Sequence, residues 1–230
     1  MTVILDSAST LPLPAAATVL PLQPEDFADI GRVAYQTGFF GESAARYFAD
    51  ALLFADLWAG PYFAGEDRLG FTARLRGETV GYIVGLSNGE RYGVALRRTL
   101  LRRVLPGLLR GRYRRPFQSL IYWQRALRFP TAHAPLDLYP AHLHINLLPA
   151  ARGSGLGRIL LSRFLEELRS RGVPGVQLST TCENQAALRL YERAGFQVYL
   201  QRESPLWTPW LGRAAVHVVM VRDLRTSPDR

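Results

Sequence analysis

Residues 141–158, AHLHINLLPAARGSGLGR, place two histidines, an apolar run and a glycine turn within eighteen positions. The turn, Arg152-Gly153-Ser154-Gly155-Leu156-Gly157-Arg158, stands between a strand-like and a helix-like pattern. Glycines there let the backbone approach a ligand closely. The unpaired N–H groups of a helix start attract an anion, helped by the helix dipole. The chemistry to expect is therefore anion binding by main chain. A P-loop requires Gly-Lys-Ser/Thr, and all 28 basic residues of this chain are arginine. A dinucleotide turn requires G-x-G-x-x-G, and Arg158 stands at the third glycine's place.

Ahead of the turn, strand periodicity puts His142, His144 and Asn146 on one face and Leu143, Ile145 and Leu147 on the other. A neutral imidazole can accept a proton near pH 7, so His142 and His144 are candidate general bases. The alternative is a pair of histidines hydrogen-bonded beneath neighbouring helices. Cys182, the one cysteine, follows a strand without an evident partner base. No Cys/His spacing suggests a zinc site, and no metal is expected.

About thirty residues beyond the turn lies NQAALRLYERAGF, residues 184–196. Arg-x-x-Gly-x-Gly after a strand resembles the coenzyme A pyrophosphate loop of the GNAT N-acyltransferase superfamily. The downstream segment is similar to that superfamily's second signature, N-x-x-A-x-x-L-Y-x-x-x-G-F, at Asn184, Ala187, Leu190, Tyr191, Gly195 and Phe196. The strand VQLST falls between the two motifs. A wider resemblance, through TGFFGESAARYFADALLFADLWAGPY, YPAHLHINLLPAARGSGLGR and RGVPGVQL, is to bacterial relatives of the acetyltransferase-like domain attached to O-GlcNAcases.

The resemblance implies an α/β GNAT fold with a sheet that opens near residue 145 and takes acetyl-CoA as cosubstrate in the notch. Pantetheine would pair with backbone about Ile145, Leu147 and Leu148. The pyrophosphate would sit on Arg152, Gly153, Ser154, Gly155, Leu156, Gly157 and Arg158. Asn184 and Ala187 would face the pantetheine arm, and Tyr191 would lie near the thioester sulfur as general acid. The reaction implied is direct attack of a primary amine on the thioester. Relatives that acetylate arylalkylamines carry a His-x-His pair on the central strand, but counted back from Arg152 the pair here is displaced by one residue, which reverses the face unless a bulge intervenes. The O-GlcNAcase-related subgroup often has an acid where Asn146 stands, and an amide cannot take up a proton. A catalytically silent acyl-CoA sensor or scaffold of the same fold is therefore the alternative function.

These residues must be positioned by a chain of 230 residues, 48% apolar and 20% charged, which is globular composition. One domain is expected over 1–230, with a leader at 1–17, an Arg-rich helical insertion at 91–130 and the acyl-CoA-binding core at 141–196. Patterning predicts a mixed sheet of six to seven strands with helices on both faces. It predicts a strand at 18–23, a helix ending at Gly38, one helix over 42–60 and a hairpin turning at Arg76-Gly77-Glu78. In the insertion, Leu96, Leu100, Val104 and Leu108 predict a buried stripe on a helix broken at Pro106-Gly107, with a second helix near FQSLIYWQRAL.

The insertion holds eleven arginines and no acid, while the remainder carries seventeen arginines against nineteen acids. Three readings of it stand: an acceptor lid opposite Trp207 and Trp210 that favours anionic substrates, a packed or homodimer surface, and a nucleic-acid or anionic-membrane surface. The expected partner is a small-molecule or peptide amine, with a homodimer in view, and neither nucleic acid nor membrane. No apolar run reaches the roughly 20 residues of a membrane span, and the N-terminus lacks a basic signal-peptide start, so a cytoplasmic location is expected.

Overall fold

The computed structural model describes residues 16–65 and 68–225, so the expected leader lies almost wholly outside the described residues. Strand β1 (Ala17–Pro21) leads through a 3-10 turn into α1 (Phe27–Thr37), which Gly38 ends. The expected helix over 42–60 is not continuous. Ala44–Arg46 form a single 3-10 turn, then α2 (Ala51–Trp58) and α3 (Gly60–Phe63) follow. The break comes from Asp50, whose carboxylate accepts the Leu53 N–H at 2.9 Å and so starts a new helix. Strands β2 (Leu69–Leu75) and β3 (Glu78–Leu86) form the expected hairpin, turning on Arg76 and Gly77, both at positive φ.

The insertion runs as one helical rod over 90–109: α4 (Glu90–Thr99), a π turn over Leu100–Val104, and α5 (Leu105–Leu109). The expected break at Pro106-Gly107 is absent. Proline has no N–H and its ring crowds the preceding turn, and the wide turn just ahead of it absorbs that misfit, with Leu105 N–H donating to the Leu100 carbonyl. The extra residue in that turn also shifts the phase of the rod. Of the predicted stripe only Val104 is buried, in company with Thr99 and Gly107, while Leu100 and Leu108 are exposed. A second helix, α6 (Leu120–Arg128), follows.

Next come β4 (Ala141–Leu147), α7 (Leu156–Ser170), β5 (Gly175–Thr181), α8 (Gln185–Arg193), β6 (Gln197–Ser204), α9 (Thr208–Leu211) and β7 (Ala215–Asp223). The seven strands make one mixed sheet in the order β1-β2-β3-β4-β5-β7-β6. One face packs on α7, which buries Leu156, Leu160, Leu161, Phe164 and Leu168; each contributes about 1.5–3 kcal/mol of transfer free energy. The other face packs on α1 to α3 through an aromatic core that includes Phe48, Phe54, Tyr62 and Tyr82.

β4 and β5 pair in parallel only at Ala141–Val176 and His142–Gln177, and diverge beyond. Buried Gln177 fixes the closed end of this split. Its amide donates to the Ala134 and Tyr139 carbonyls at 3.0 and 2.7 Å and accepts the Ala134 N–H at 2.8 Å.

Candidate active site

Where β4 and β5 part, a cleft of about 990 Å³ opens between the β4 end, the α7 start and α8. Ile145 and Leu147 form its strand wall. The turn at 152–158 forms its floor. Gly153 and Gly155 sit at φ 75° and 84°, and a Cβ built on either would meet nothing within 4 Å. They are glycines because of backbone conformation and an open face, with no crowding involved. Gly157 differs, since a Cβ there would come 3.0 Å from Leu147 Cδ1, so it permits close seating of α7 on β4. Among the described residues, the N–H groups of Gly153, Gly155 and Gly157 take no partner, and they stand at the positive end of a fifteen-residue helix. Arg158, Arg189, Arg193 and Arg222 also line the cleft.

Nine residues expected to bind the coenzyme line this cleft: Ile145, Leu147, Arg152, Gly153, Gly155, Gly157, Arg158, Asn184 and Ala187. Several are engaged structurally. The Arg152 guanidinium donates to the Leu147 carbonyl at 3.2 Å and to the Gly41 carbonyl, tying the turn to the α1–α2 connection. Asn184 caps α8, its Oδ1 accepting the Ala187 N–H at 3.3 Å. The other expected residues stand outside the lining. The Ser154 hydroxyl turns inward to the Ala151 carbonyl at 2.6 Å, Leu156 is fully buried, and Leu148 packs against both cores. Sequence reasoning missed Thr37, Phe40 and Gly41, which reach the cleft from α1 and its exit. Thr37 accepts from Asn146 Nδ2 at 2.5 Å and donates to the Val33 carbonyl at 2.6 Å. No motif marks that threonine; its signal is the end of α1 falling beside β4.

The register of β3 on β4 pairs Tyr82 with Asn146, Val84 with His144 and Leu86 with His142, without a bulge. The two histidines and Asn146 therefore share one face, as their alternation predicts. That face is roofed by aromatics. His144 lies 4.9 Å from the Trp58 ring and 5.6 Å from Tyr62, and His142 lies 5.4 Å from Tyr92. The Tyr62 hydroxyl is 3.1 Å from His142 Nε2 and donates where that nitrogen carries no proton. Burial pushes His142 down to about 4 and His144 down to about 3, so both are neutral at pH 7. Neither lines the cleft. Tyr191, the fourth expected residue outside the lining, is buried between Phe196 and the core, and burial pushes its hydroxyl well up.

Neutral buried histidines carry a pH signature. The unfolded chain binds protons at these sites near pH 6.5, the folded chain only near 4 and 3, so stability is intact above pH 6.5 and falls as pH drops below it. Between pH 6.5 and 5 the two sites together should remove about 3 kcal/mol of unfolding free energy. Urea titrations of the protein and of H142N/H144N across that range check this; equal pH slopes would show that the histidines are solvated.

The insertion and the tryptophan segment meet directly. The Arg125 guanidinium donates to the Leu206 carbonyl at 2.8 Å and to that of Pro205, and Tyr122 lies 5.9 Å from Trp207. Trp207 in turn sits 5.0 Å from Tyr47. Instead of two opposed lips, these groups make one continuous aromatic layer over α2.

Comparison with known proteins agrees with this geometry. The acetyltransferase (GNAT) family model matches residues 128–196, the segment that supplies most of the cleft's lining. A mycothiol acetyltransferase of Thermomonospora curvata is 51% identical over 55 residues, 24% of this chain and 18% of that protein. One of Streptomyces scabiei is 37% identical over 68 residues, 30% of this chain and 22% of the relative, so the matches span about a fifth of these relatives' length. Among solved structures, SsHAT superposes with a TM-score of 0.64 at 25% identity, covering 91% of this chain and 98% of that one. Salmonella typhimurium yncA, solved with its cofactor acetyl-CoA, superposes with a TM-score of 0.54 at 17% identity, covering 93% and 98%. The chain has the GNAT fold, and the family match with these neighbours supports the acetyltransferase superfamily. Among the described residues no helix is long and apolar enough to cross a membrane, and no cluster of acids, histidines and cysteine could hold a metal.

Proposed function

We propose that this protein is an acetyl-CoA-dependent N-acetyltransferase that acts on a primary amine. The observation that carries the reading is the open cleft at the β4–β5 split, floored by the unpartnered N–H groups of Gly153, Gly155 and Gly157. These groups and the rim arginines fit a pyrophosphate, and the unpaired edge of β4 from Ile145 fits an extended amide-bearing arm. Acetyl-CoA bound there would supply the activated acyl group. The chain's own residues orient it, the Arg152–Gly41 bridge holding the turn to the α1 exit, and the proton donor proposed for the leaving sulfur is the Tyr191 hydroxyl, which would have to turn from its buried position toward the cleft.

The cleft bears on the acceptor. Among its described lining residues there is no carboxylate and no imidazole. An alkylammonium of pKa about 10.4 would have to shed its proton at a cost of about 4–5 kcal/mol at pH 7 with only water to take it. The reading therefore favours an amine already largely neutral near pH 7, or an anionic molecule that carries one. A small molecule or a peptide amine both satisfy it.

The first test is the melting temperature with acetyl-CoA, against free CoA, NAD and ATP. At about 100 times its dissociation constant a ligand adds about 2.7 kcal/mol, or about 5–10 °C in a chain this size. A shift with both CoA species alone supports the reading, and none at millimolar acetyl-CoA sinks it. Tyr191→Phe should then lower kcat about 100-fold with little change in acetyl-CoA affinity. Equal loss of both would make Tyr191 a packing residue.

A second reading, the silent acyl-CoA sensor, is favoured by Asn146 bonded to Thr37 and by histidines held neutral and away from the cleft. It keeps the thermal shift but gives no CoA release with any amine. The likeness to the O-GlcNAcase-attached domain belongs with this reading.

A further inference from the structure

The insertion carries an outer surface that the fold itself does not use. On the helical rod over 90–109, Thr99, Val104 and Gly107 face inward, while Val94, Leu101, Leu105 and Leu109 recur at the spacing of the opposite face and are exposed. On α6 the inward side chains are Tyr122 and Trp123, packed on Tyr47 and Phe48, whereas Leu120, Ile121, Leu127 and Arg128 share the outer face. Ten large apolar residues of this one segment are exposed, of seventeen such residues in the described chain. A concentration like that marks a docking surface.

Its charge selects the occupant. Asp56 and backbone carbonyls hold Arg98, Arg103, Arg112 and Arg125. Among the described residues, the side chains of Arg91, Arg97, Arg102, Arg110, Arg114 and Arg128 make no ion pair or hydrogen bond, and the segment contains no acid. A second copy placed face to face would set these cations against each other. A nucleic-acid duplex would meet the arginines but leave the leucines in water. Leu109, Phe117 and Leu127 are 80%, 71% and 84% exposed, so they stand out as knobs and do not line a groove for a peptide. Protruding apolar side chains ringed by cations suit a lipid–water boundary.

We propose that the outer faces of the 90–109 rod and α6 form a peripheral docking surface for an anionic phospholipid bilayer. The leucines enter the acyl boundary while these six arginines neutralise lipid phosphates. This runs against the sequence-based expectation of no membrane partner, which rested on run length and could not see which face the apolar residues take. The proposal is independent of the acetyl-transfer reading.

Co-sedimentation of the whole protein with vesicles tests it. The protein should sediment with phosphatidylcholine vesicles containing about a third phosphatidylglycerol, less so in about 300 mM than in about 50 mM salt, and not with phosphatidylcholine alone. L101S/L105S/L109S should partition at least about 100-fold more weakly. R91Q/R97Q/R102Q should lose about fivefold per arginine and flatten the salt dependence. All six positions are exposed, so unfolding midpoints should hold; should the leucine variant not fold, the arginine variant carries the test. Equal sedimentation with both vesicle types, or with neither, overturns the proposal. So does a concentration-dependent dimer in light scattering that L101S/L105S/L109S abolishes.

Discussion

Gly155→Glu is expected to abolish acetyl-CoA binding, with the dissociation constant rising at least about 1,000-fold by calorimetry and the thermal shift lost. Gly155 caps α7 at φ 84°, where an L residue costs about 1–2 kcal/mol. No heavy atom lies within 4 Å of where its Cβ would stand, so a glutamate side chain would extend into the cleft. Its carboxylate would take the helix-start N–H groups that the reading assigns to a pyrophosphate, and would repel that ligand by about 4 kcal/mol at 4 Å in a surface dielectric near 20. Gly155→Ala separates the two effects. It keeps the backbone strain, lowering the midpoint by about 2–8 °C, but adds no charge, and should cost less than about tenfold in affinity. Unchanged affinity in Gly155→Glu would move the coenzyme away from this turn.

What could be read ahead of the structure was local. The glycine turn needs φ > 0 at Gly153 and Gly155, which only a few residue types supply, so the chemistry is written in the residues themselves. Asn184 likewise announces a helix start, and His142, His144 and Asn146 announce a shared face because strand alternation is rigid. Properties set by distant parts of the chain were hidden. The histidines read as bases because free imidazole titrates near 6.5, but Trp58, Tyr62 and Tyr92, from fifty to eighty-six positions earlier, supply the burial that makes them weak bases. The Leu96–Leu108 stripe assumed an α-helical phase that the π turn changes. Thr37 reaches the cleft because α1 ends against β4, a meeting that no local pattern encodes.

Asp56 is the most consequential residue among those hidden, and Asp56→Ala is expected to cost about 2–3 kcal/mol, lowering the midpoint by about 4–12 °C. Within ALLFADLW it reads as one polar position on a short apolar helix; in the fold it is fully buried at the joint between α2 and the insertion. The Tyr113 hydroxyl donates to its Oδ2 at 2.7 Å and Arg112 approaches the same oxygen at 3.0 Å, while Arg103 stands 3.6 Å from Oδ1, an ion-pair distance too long for a hydrogen bond. Removing one partner of a buried pair usually costs about 3–5 kcal/mol, because the other charge is stranded. Both guanidiniums are about 40% exposed here and regain water, which lowers the expected figure. The buried Tyr113 hydroxyl keeps only a 3.4 Å contact to the Arg103 carbonyl. Asp56→Asn preserves an acceptor for Tyr113 and loses the charge alone, so about 1–2 kcal/mol is expected. Because the damage lies at the root of the insertion, amide hydrogen exchange should accelerate across 100–115 while acetyl-CoA affinity stays within about twofold. An unchanged midpoint would mean that the aromatic layer alone holds the insertion. A collapse of coenzyme affinity alongside a small stability loss would mean that the insertion shapes the cleft from a distance.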